Sequence, residues 1–412
     1  MAALPQAEPP HKDRATALRR ALVGMLKAKY ASQVPLAIEQ ALLTVPRHLF
    51  CPPGTTLEEA YANDVVPSRT DEATGHTRAS VSAPWLHARM LFQAQIEPGM
   101  RVLELGSSDG YLACLIAELV GSAGQVVTLD ADPHAADVTR AAVARTGYVD
   151  RVTVDSLGHG MFDRIIVTSA VWDIAPAWVD QLADDGVLVV PLRARHPSEC
   201  WSTGFRRDGD LLVGEMGFVC GFAGTGAGAR EPLVARMVGP DGVAITFRTW
   251  DDDTDLSGLP ATLPEANVLV PSGVVLPPPG MFVGLRTRLA YDLPGLVDID
   301  ISVKDRDRMG YEADKWMRLG HVEEDSFAVV CFRPDGFGQT HLDAIGFGPR
   351  AEQVAFTVVG QIAAWGRDGM PHRAAHVYRP AGSATPLLEG RVLYLPNGEL
   401  AVTQHHDGVD DL

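Results

Sequence analysis

The sequence predicts an α/β protein built on a parallel, doubly wound sheet, with two helices before that sheet and an α+β extension after it. Three observations carry this prediction. Between Trp85 and Pro191 short β-rich runs alternate with helical stretches, a pattern that calls for parallel strands joined by crossover helices. Inside that stretch one strand runs into a glycine-bearing turn and a helix, and the next strand ends on an acid. After Pro191 the pattern changes to short alternating segments separated by D-G and G-P, as in antiparallel hairpins. At 412 residues the chain exceeds what one core usually organises, so more than one packed unit is expected.

The opening MAALPQAEPPHKD has no apolar signal-like run and reads as a frayed leader. Leu18, Leu22, Met25 and Leu26 then recur at helical spacing, and PLAIEQALLTV from Pro35 repeats the period with proline at its start. From Pro52 to Ser80 the chain is rich in Pro, Thr, Asp and Gly without a period, which predicts a long connection of the kind usually kept for function. A helix is expected from near Trp85. RVLELG (Arg101), QVVTLD (Gln125), RVTVD (Arg151), RIIVTSA (Arg164) and GVLVVPL (Gly186) read as strands, with GYLACLIAELVG and DPHAADVTRAAVARTG as intervening helices.

STGFRRDGDLLVGEMGFVCGF and VARMVGPDGVAITFRTW read as two hairpins, and the acidic, proline-rich stretch from Asp251 to Gly280 as a linker. Beyond it, FVGLRTRLAY, SFAVVCFRP and RVLYLPNGELAVTQ read as strands and GPRAEQVAFTVVGQIAAWGRDG as a helix. The expected division is therefore N-terminal helices and a substrate-side loop (1–84), the doubly wound core (85–193), a β-hairpin extension (194–250), a linker (251–280) and a C-terminal α+β domain (281–412).

Composition narrows the function classes. With 46% apolar and 21% charged residues, and no apolar run near the roughly 18 residues of a membrane span, no membrane partner is expected. A net charge of −17 repels nucleic-acid phosphates, so no nucleic acid is expected either. Residues 1–50 reverse that sign locally with Lys12, Arg14, Arg19, Arg20, Lys27, Lys29 and Arg47 against only Glu8, Asp13 and Glu39, which reads foremost as a solvated face and otherwise as a dock for an acidic peptide. Five scattered cysteines without a C-x-x-C pair argue against a disulfide framework or zinc site and fit a reducing cytoplasm. His405-His406 and Asp251-Asp252-Asp253 lack metal-ligand spacing and read as solvated segments, and Trp172 and Trp178 read as core.

The chemistry concentrates in VLELGSSDGY. Gly106 and Gly110 let backbone approach a ligand closely, and Asp130, ending the next strand, stands where an acid accepts from ribose hydroxyls. Ser108 replaces the second glycine of a dinucleotide fingerprint, and Asp109 brings negative charge to the helix N-terminus, where it would repel a pyrophosphate. A sulfonium nucleoside tolerates both, with Glu104 facing its ammonium or ribose. A glycine-bearing turn without a ligand is the bland alternative.

The segments VPRHLFCPP (Val45–Pro53), AYANDV (Ala60–Val65), SVSAPWLHA (Ser80–Ala88), EPGMRVLELGSSDGY (Glu97–Tyr111) and FDRIIVTSAVWDIAPAWVDQLADDGVLVVPL (Phe162–Leu192) resemble, in that order, protein-L-isoaspartate O-methyltransferases. The resemblance implies a Rossmann-like class I methyltransferase domain using S-adenosyl-L-methionine. It implies that Ser82 lies beside donor and substrate carboxylate, and that the donor is held by Ser82, Glu104, Gly106, Ser107, Ser108, Asp109, Gly110, Asp130, Ala131, Asp155 and Ser156. The chain departs from the family pattern at Ser108, where a glycine is usual, and in VDSLGHGMFD, which replaces a G-D-G-type motif. LLVGEMGFVCGFAGTGAGA (Leu211–Ala229) resembles the extension of actinobacterial members that methylate Asp in cyclised lanthipeptide or graspetide precursors, where the ester collapses to an aspartimide that persists or hydrolyses to isoaspartate.

A carboxylate is already ionised at pH 7, so its methylation needs placement and removal of water rather than a strong base. Ser82 can orient one carboxylate oxygen, with His87 or Thr168 as further candidates in the same pocket; packing or helix capping are their bland alternatives. The expected activity is carboxyl methylation of Asp in a cyclised precursor peptide. General isoaspartate repair and an inactive peptide-binding module are the rivals.

Overall fold

The computed structural model describes residues 9–70, 77–155, 158–193, 196, 200–222, 232–239, 242–250, 253–265, 267–276, 283–301, 316–387 and 391–405. Residues 1–8 of the expected leader, Ser156, Asp251, Asp252 and His406 lie outside them, whereas Pro9–Asp13, read as part of that leader, are helical. Helices α1 (Pro9–Lys29), α2 (Leu36–Thr44) and α3 (Leu57–Ala60) precede a hairpin of β1 (Val66–Thr70) and β2 (Thr77–Val81). Then come α4 (Pro84–Ala94), β3 (Arg101–Leu105), α5 (Tyr111–Val120), β4 (Gln125–Leu129), α6 (Pro133–Thr146), β5 (Val152–Asp155), β6 (Phe162–Val167), α7 (Pro176–Asp180) and β7 (Leu182–Arg193). Strands β5-β4-β3-β6-β7 lie side by side and parallel, so the order reverses between β3 and β6.

Both faces of these strands are covered, which is why they read as nearly continuous apolar runs. Val102, Val126, Ile166 and Val187 face one core with α1, α2, α4 and α5, while their neighbours Leu103, Val127, Ile165 and Leu188 face a second. That second core is filled from β8 (Cys200–Asp208) and β9 (Leu211–Val219), an antiparallel hairpin that extends the sheet beyond β7.

From β9 the chain leaves for a seven-stranded antiparallel sheet. It contains β10 (Leu233–Val238), β11 (Ala244–Thr249), β12 (Asn267–Leu276), β13 (Leu296–Ile301), β14 (Trp316–Glu323), β15 (Ser326–Pro334) and β16 (Thr340–Phe347), in the spatial order β10-β11-β13-β14-β15-β16-β12. Helices α8 (Val283–Asp292) and α9 (Ala351–Arg367) pack on one of its faces, and Phe247, Phe327 and Phe347 fill the other. The chain then returns. Strand β17 (Arg373–Pro380) pairs with β9, and β19 (Gly398–His405) and β18 (Arg391–Leu395) complete a ten-stranded first sheet.

Several expectations are corrected by this arrangement. The 52–80 connection carries α3 and the β1–β2 hairpin, whose register holds only four residue pairs with bulges, too irregular to leave an alternating pattern. Residues 194–250 do not form one unit, because β8–β9 join the first sheet and β10–β11 the second. The 251–280 linker contains β12, paired with β16 across a bulge at Pro271–Val274, and strands β17, β18 and β19, expected in the C-terminal domain, belong to the first sheet. From Val283 on, FVGLRTRLAY is helical. Leu285, Leu289 and Leu293 recur every fourth residue against α9, a period that Val283 and Tyr291 disguise as alternation.

The basic N-terminal face is partly committed within the chain: Arg14 pairs with Glu58, Lys27 with Glu39 at 2.7 Å, and Arg19 donates to the Thr44 carbonyl at 2.9 Å. No helix among the described residues is long and apolar enough to cross a membrane, and no group of metal-ligating side chains occurs among them.

Candidate active site

Where strand order reverses, at the C-terminal ends of β3, β4 and β6, the sheet opens into a cleft of about 330 Å³. Glu104, Gly106, Ser107, Ser108, Asp109, Asp130, Ala131 and Thr168 line it, with Ser82 and His87 contributed by the start of α4. Residues separated in sequence by the hairpin and two βα units thus meet in one place. Gly110 does not line the cleft. It is the N-cap of α5 at φ +84°, and a Cβ there would stand 3.1 Å from the Thr139 methyl of α6, so its absence of side chain serves helix packing. Asp155 ends β5 in register with Leu129, one strand further out, and does not line the cleft either.

The turn after β3 is strained and cross-braced. Gly106 has φ +101°, and a Cβ would fall 2.5 Å from the Thr168 hydroxyl, so no other residue fits. Ser108 occupies the left-handed region at φ +49°; its N–H donates to Asp130 Oδ2 at 3.0 Å, which anchors an L-residue there. Asp130 Oδ1 accepts from Asp132 N–H at 2.9 Å. Each carboxylate oxygen retains a second lone pair, so Asp130 can still accept from a ligand. The Ser107 hydroxyl accepts from Thr139 at 3.1 Å and holds α6 in place. Thr168 directs its hydroxyl at the carbonyls of Leu105 (3.0 Å) and Gly106 (2.5 Å), so its proton is committed to backbone.

The cleft is acidic. Glu104 is 1% exposed, with Thr128 donating to it at 2.5 Å, and burial pushes its carboxyl up to about 8. Burial likewise raises Asp109 to about 7, although Tyr111 N–H donates to it at 2.9 Å. Both are therefore poised to ionise when a cation enters. His87 is 5% exposed, burial drives its pKa down to about 3, and its Nδ1 has no hydrogen-bond partner. It is a neutral imidazole that can exchange a hydrogen bond but carries no charge near pH 7.

Sequence reasoning missed the residues that hold these groups in place. Arg47, read from the sequence as part of a solvated basic face, is instead fully buried, its guanidinium donating to the carbonyls of Ala60 (2.8 Å), Ser82 (2.8 Å), Asp64 (3.1 Å) and Val81 (3.3 Å). It fastens the substrate-side segment to the body of the fold. The Asn63 side chain accepts from Trp85 N–H at 3.0 Å and satisfies a free donor of α4, the role sequence reasoning allowed to Ser82. Arg69, on β1, forms an ion pair with Asp132, the N-cap of α6, and so straps the hairpin across the cleft. Phe222, after β9, lines the cleft as well. Only Arg47 left a signal: an Arg enclosed by Val45, Pro46, Leu49 and Phe50 is an ionic group in an apolar text. Trp172 is core, as expected, stacked on Trp250 with centroids 6.3 Å apart.

Residues 18–213 match the model of the family described as protein-L-isoaspartate(D-aspartate) O-methyltransferase. A protein-L-isoaspartate O-methyltransferase of Methanopyrus kandleri is 33% identical over 201 residues, which are 44% of this chain and 85% of the relative. One from Hyperthermus butylicus is 35% identical over 208 residues, covering 44% of this chain and 83% of the relative. Among solved structures, a Plasmodium falciparum protein of the same description, in complex with S-adenosyl-L-homocysteine, aligns with 50% of this chain and 97% of its own at 19% identity and a TM-score of 0.42. With a relative of such identity spanned over more than two thirds of its length, the chain belongs to the protein-L-isoaspartate O-methyltransferase family.

Proposed function

We propose that this protein transfers a methyl group to the side-chain carboxylate of an aspartyl or isoaspartyl residue in a peptide, with S-adenosyl-L-methionine as donor. The observation that carries the reading is the convergence of Ser82 with Glu104, Asp109 and Asp130 in one cleft. When bound, the donor would supply an electrophilic methyl on a cationic sulfur; as a carboxylate oxygen takes the methyl, the methyl–sulfur bond breaks and its electron pair stays on sulfur as a neutral thioether, so no proton transfer is needed. Asp130 would accept from the ribose hydroxyls, and Glu104 and Asp109 would face positive charge. Gly106 lets Thr168 pack against the turn that lines the cleft, and Asp109 makes that turn unsuited to a pyrophosphate. Ser82 would donate to one oxygen of the substrate carboxylate and leave the other free, while His87, neutral, shapes the apolar side of the pocket.

The preferred substrate, in this reading, is Asp held in a cyclised precursor peptide, because the residues beyond 213 add a second sheet and bring Phe222 to the cleft. The archaeal relatives favour a second reading, repair of isoaspartyl residues in damaged proteins. Incubation with donor and matched cyclic and linear peptides, followed by mass spectrometry, tests both. A methyl ester on cyclic aspartyl peptide alone supports the first, preference for short linear isoaspartyl peptides the second, and absence of any ester removes both.

A further inference from the structure

A second cavity, of about 530 Å³, adjoins the cleft and shares Arg69, Ala79, Ser108, Asp109 and Ala135 with it. Residues 48–53 and helix α6 wall it, and Ser82, Glu104 and Asp130 take no part in it. Its wall is largely apolar: Leu49, Phe50, Pro52, Val138, Ala141 and Ala142. Leu49 and Val138 are left 36% and 40% exposed, so apolar surface stands open to water beside the site. Around it stand the guanidiniums of Arg145 and of Arg69, the latter paired with Asp132, and the imidazoles of His48 and His134, against the single lining acid Asp109, so its edge offers donors and positive charge in a chain of net charge −17. The wall is fixed at a defined spacing. Arg145 donates to the Leu49 carbonyl at 2.6 Å, and His48 shares a hydrogen bond of 2.8 Å with the Tyr61 hydroxyl.

An occupant has to cover an apolar wall, tolerate a cationic surround and be continuous with whatever fills the cleft. A phosphate or nucleotide satisfies the charge and leaves the apolar wall open. A peptide segment satisfies all three conditions. We propose that this cavity is a subsite for the peptide substrate, taking a large apolar side chain close in sequence to the residue that is methylated, with acidic neighbours favoured at its cationic edge. The inference rests on the methyl-transfer reading above and adds to it the flanking residue that the enzyme selects. The volume lies in the range of pockets that enclose small ligands and accommodates one large side chain with its backbone.

Synthetic peptides carrying one aspartyl or isoaspartyl residue in an otherwise glycine and serine background, with a single Phe moved through each flanking position, test the subsite. One or two positions should raise kcat/KM about 10-fold or more, mainly through KM. Val138→Trp and Ala141→Trp fill the cavity from exposed positions on α6 that do not line the donor cleft. Each should abolish the Phe preference while leaving donor affinity and turnover of the Phe-free peptide unchanged. A flat profile in the parent protein, or a preference that survives both substitutions, overturns the subsite. Should no peptide be methylated, calorimetry with the same peptides separates the two ideas. Tighter binding of a Phe peptide that is lost in Val138→Trp keeps the subsite and removes methyl transfer, whereas equal binding of all peptides removes the subsite.

Discussion

Glu104 and Asp109 are carboxyls kept almost out of water beside a site suited to a cation, and this sets the pH behaviour of the pocket. Burial holds Glu104 protonated well above its ordinary value of 4.5, up to about 8. The unfolded chain gives up that proton near 4.5. The stability contributed is therefore complete below about pH 4.5 and is lost as pH rises through about 8. Thermal unfolding of the ligand-free protein should show Tm falling between pH 5 and pH 9, and Glu104→Gln should flatten much of that slope. Donor binding should move the other way, strengthening as pH rises to about 8, because a cation selects the ionised form; calorimetry at several pH values reads this directly. Asp130→Ala should weaken donor binding by about 1.5 kcal/mol or more, the scale of hydrogen bonds to a charged group, and unchanged affinity would remove the ribose role. Ser82→Ala should lower turnover about 10-fold or more with donor affinity nearly intact, which single-turnover kinetics and calorimetry separate.

At the scale of elements, the β1–β2 hairpin and the turn before α4 are held by side chains rather than by a long ladder. From a fully buried position Arg47 donates to the carbonyls of Ala60 and Asp64, on the approach to β1, and of Val81 and Ser82, at the end of β2 and in the turn before α4. Replacing it with Met would leave those carbonyls without their donor, so urea unfolding of Arg47→Met should report a loss of about 3 kcal/mol or more. Peptide turnover should fall further than donor affinity, because Ser82 hangs from that anchor. The same elements mark the limit of sequence reading. Strands β3, β4, β6 and β7 were legible because both of their faces are buried; the place of Glu104, Gly106 and Asp130 at the cleft was legible because turn chemistry and order in the chain fix it, and that of Ser82 through the resemblance to the family. The hairpin was not legible, since its pairing is short and bulged, and neither was the Arg69–Asp132 strap, which joins residues that no local period connects. At Gly110 the sequence shows the need for glycine but not what approaches it: its φ and its neighbour Thr139 account for the glycine through helix packing.

On the scale of the whole molecule, the second sheet is an insertion between two neighbouring strands of the first. Val213 and Leu212 of β9 pair with Val377 and Tyr378 of β17, so the chain leaves and rejoins the first sheet at adjacent points. This topology was hidden in the sequence, because a strand does not state which distant strand it will pair with. Contacts then seal the junction: Trp172 stacks on Trp250, and Tyr291 of α8 shares the core that Leu188, Tyr378 and Leu400 occupy. A chain ended near Arg193 would lose five of ten strands and bare the edge of β7 with Leu188 and Val190, and should be recovered only as aggregate. A different deletion separates support from recognition. Joining the chain after Phe222 to His372 through a short glycine and serine loop would remove the second sheet while keeping β8, β9 and β17–β19. With the first sheet whole, that protein should remain soluble, at reduced Tm because Trp172 is uncovered, and should bind donor within a few-fold of the parent in calorimetry. If the inserted sheet recognises the peptide, kcat/KM on the preferred substrate should drop at least ~100-fold while short linear peptides are methylated at parental rates. Parental rates on both would show that the insertion takes no part in substrate choice and serves only to cover the first sheet.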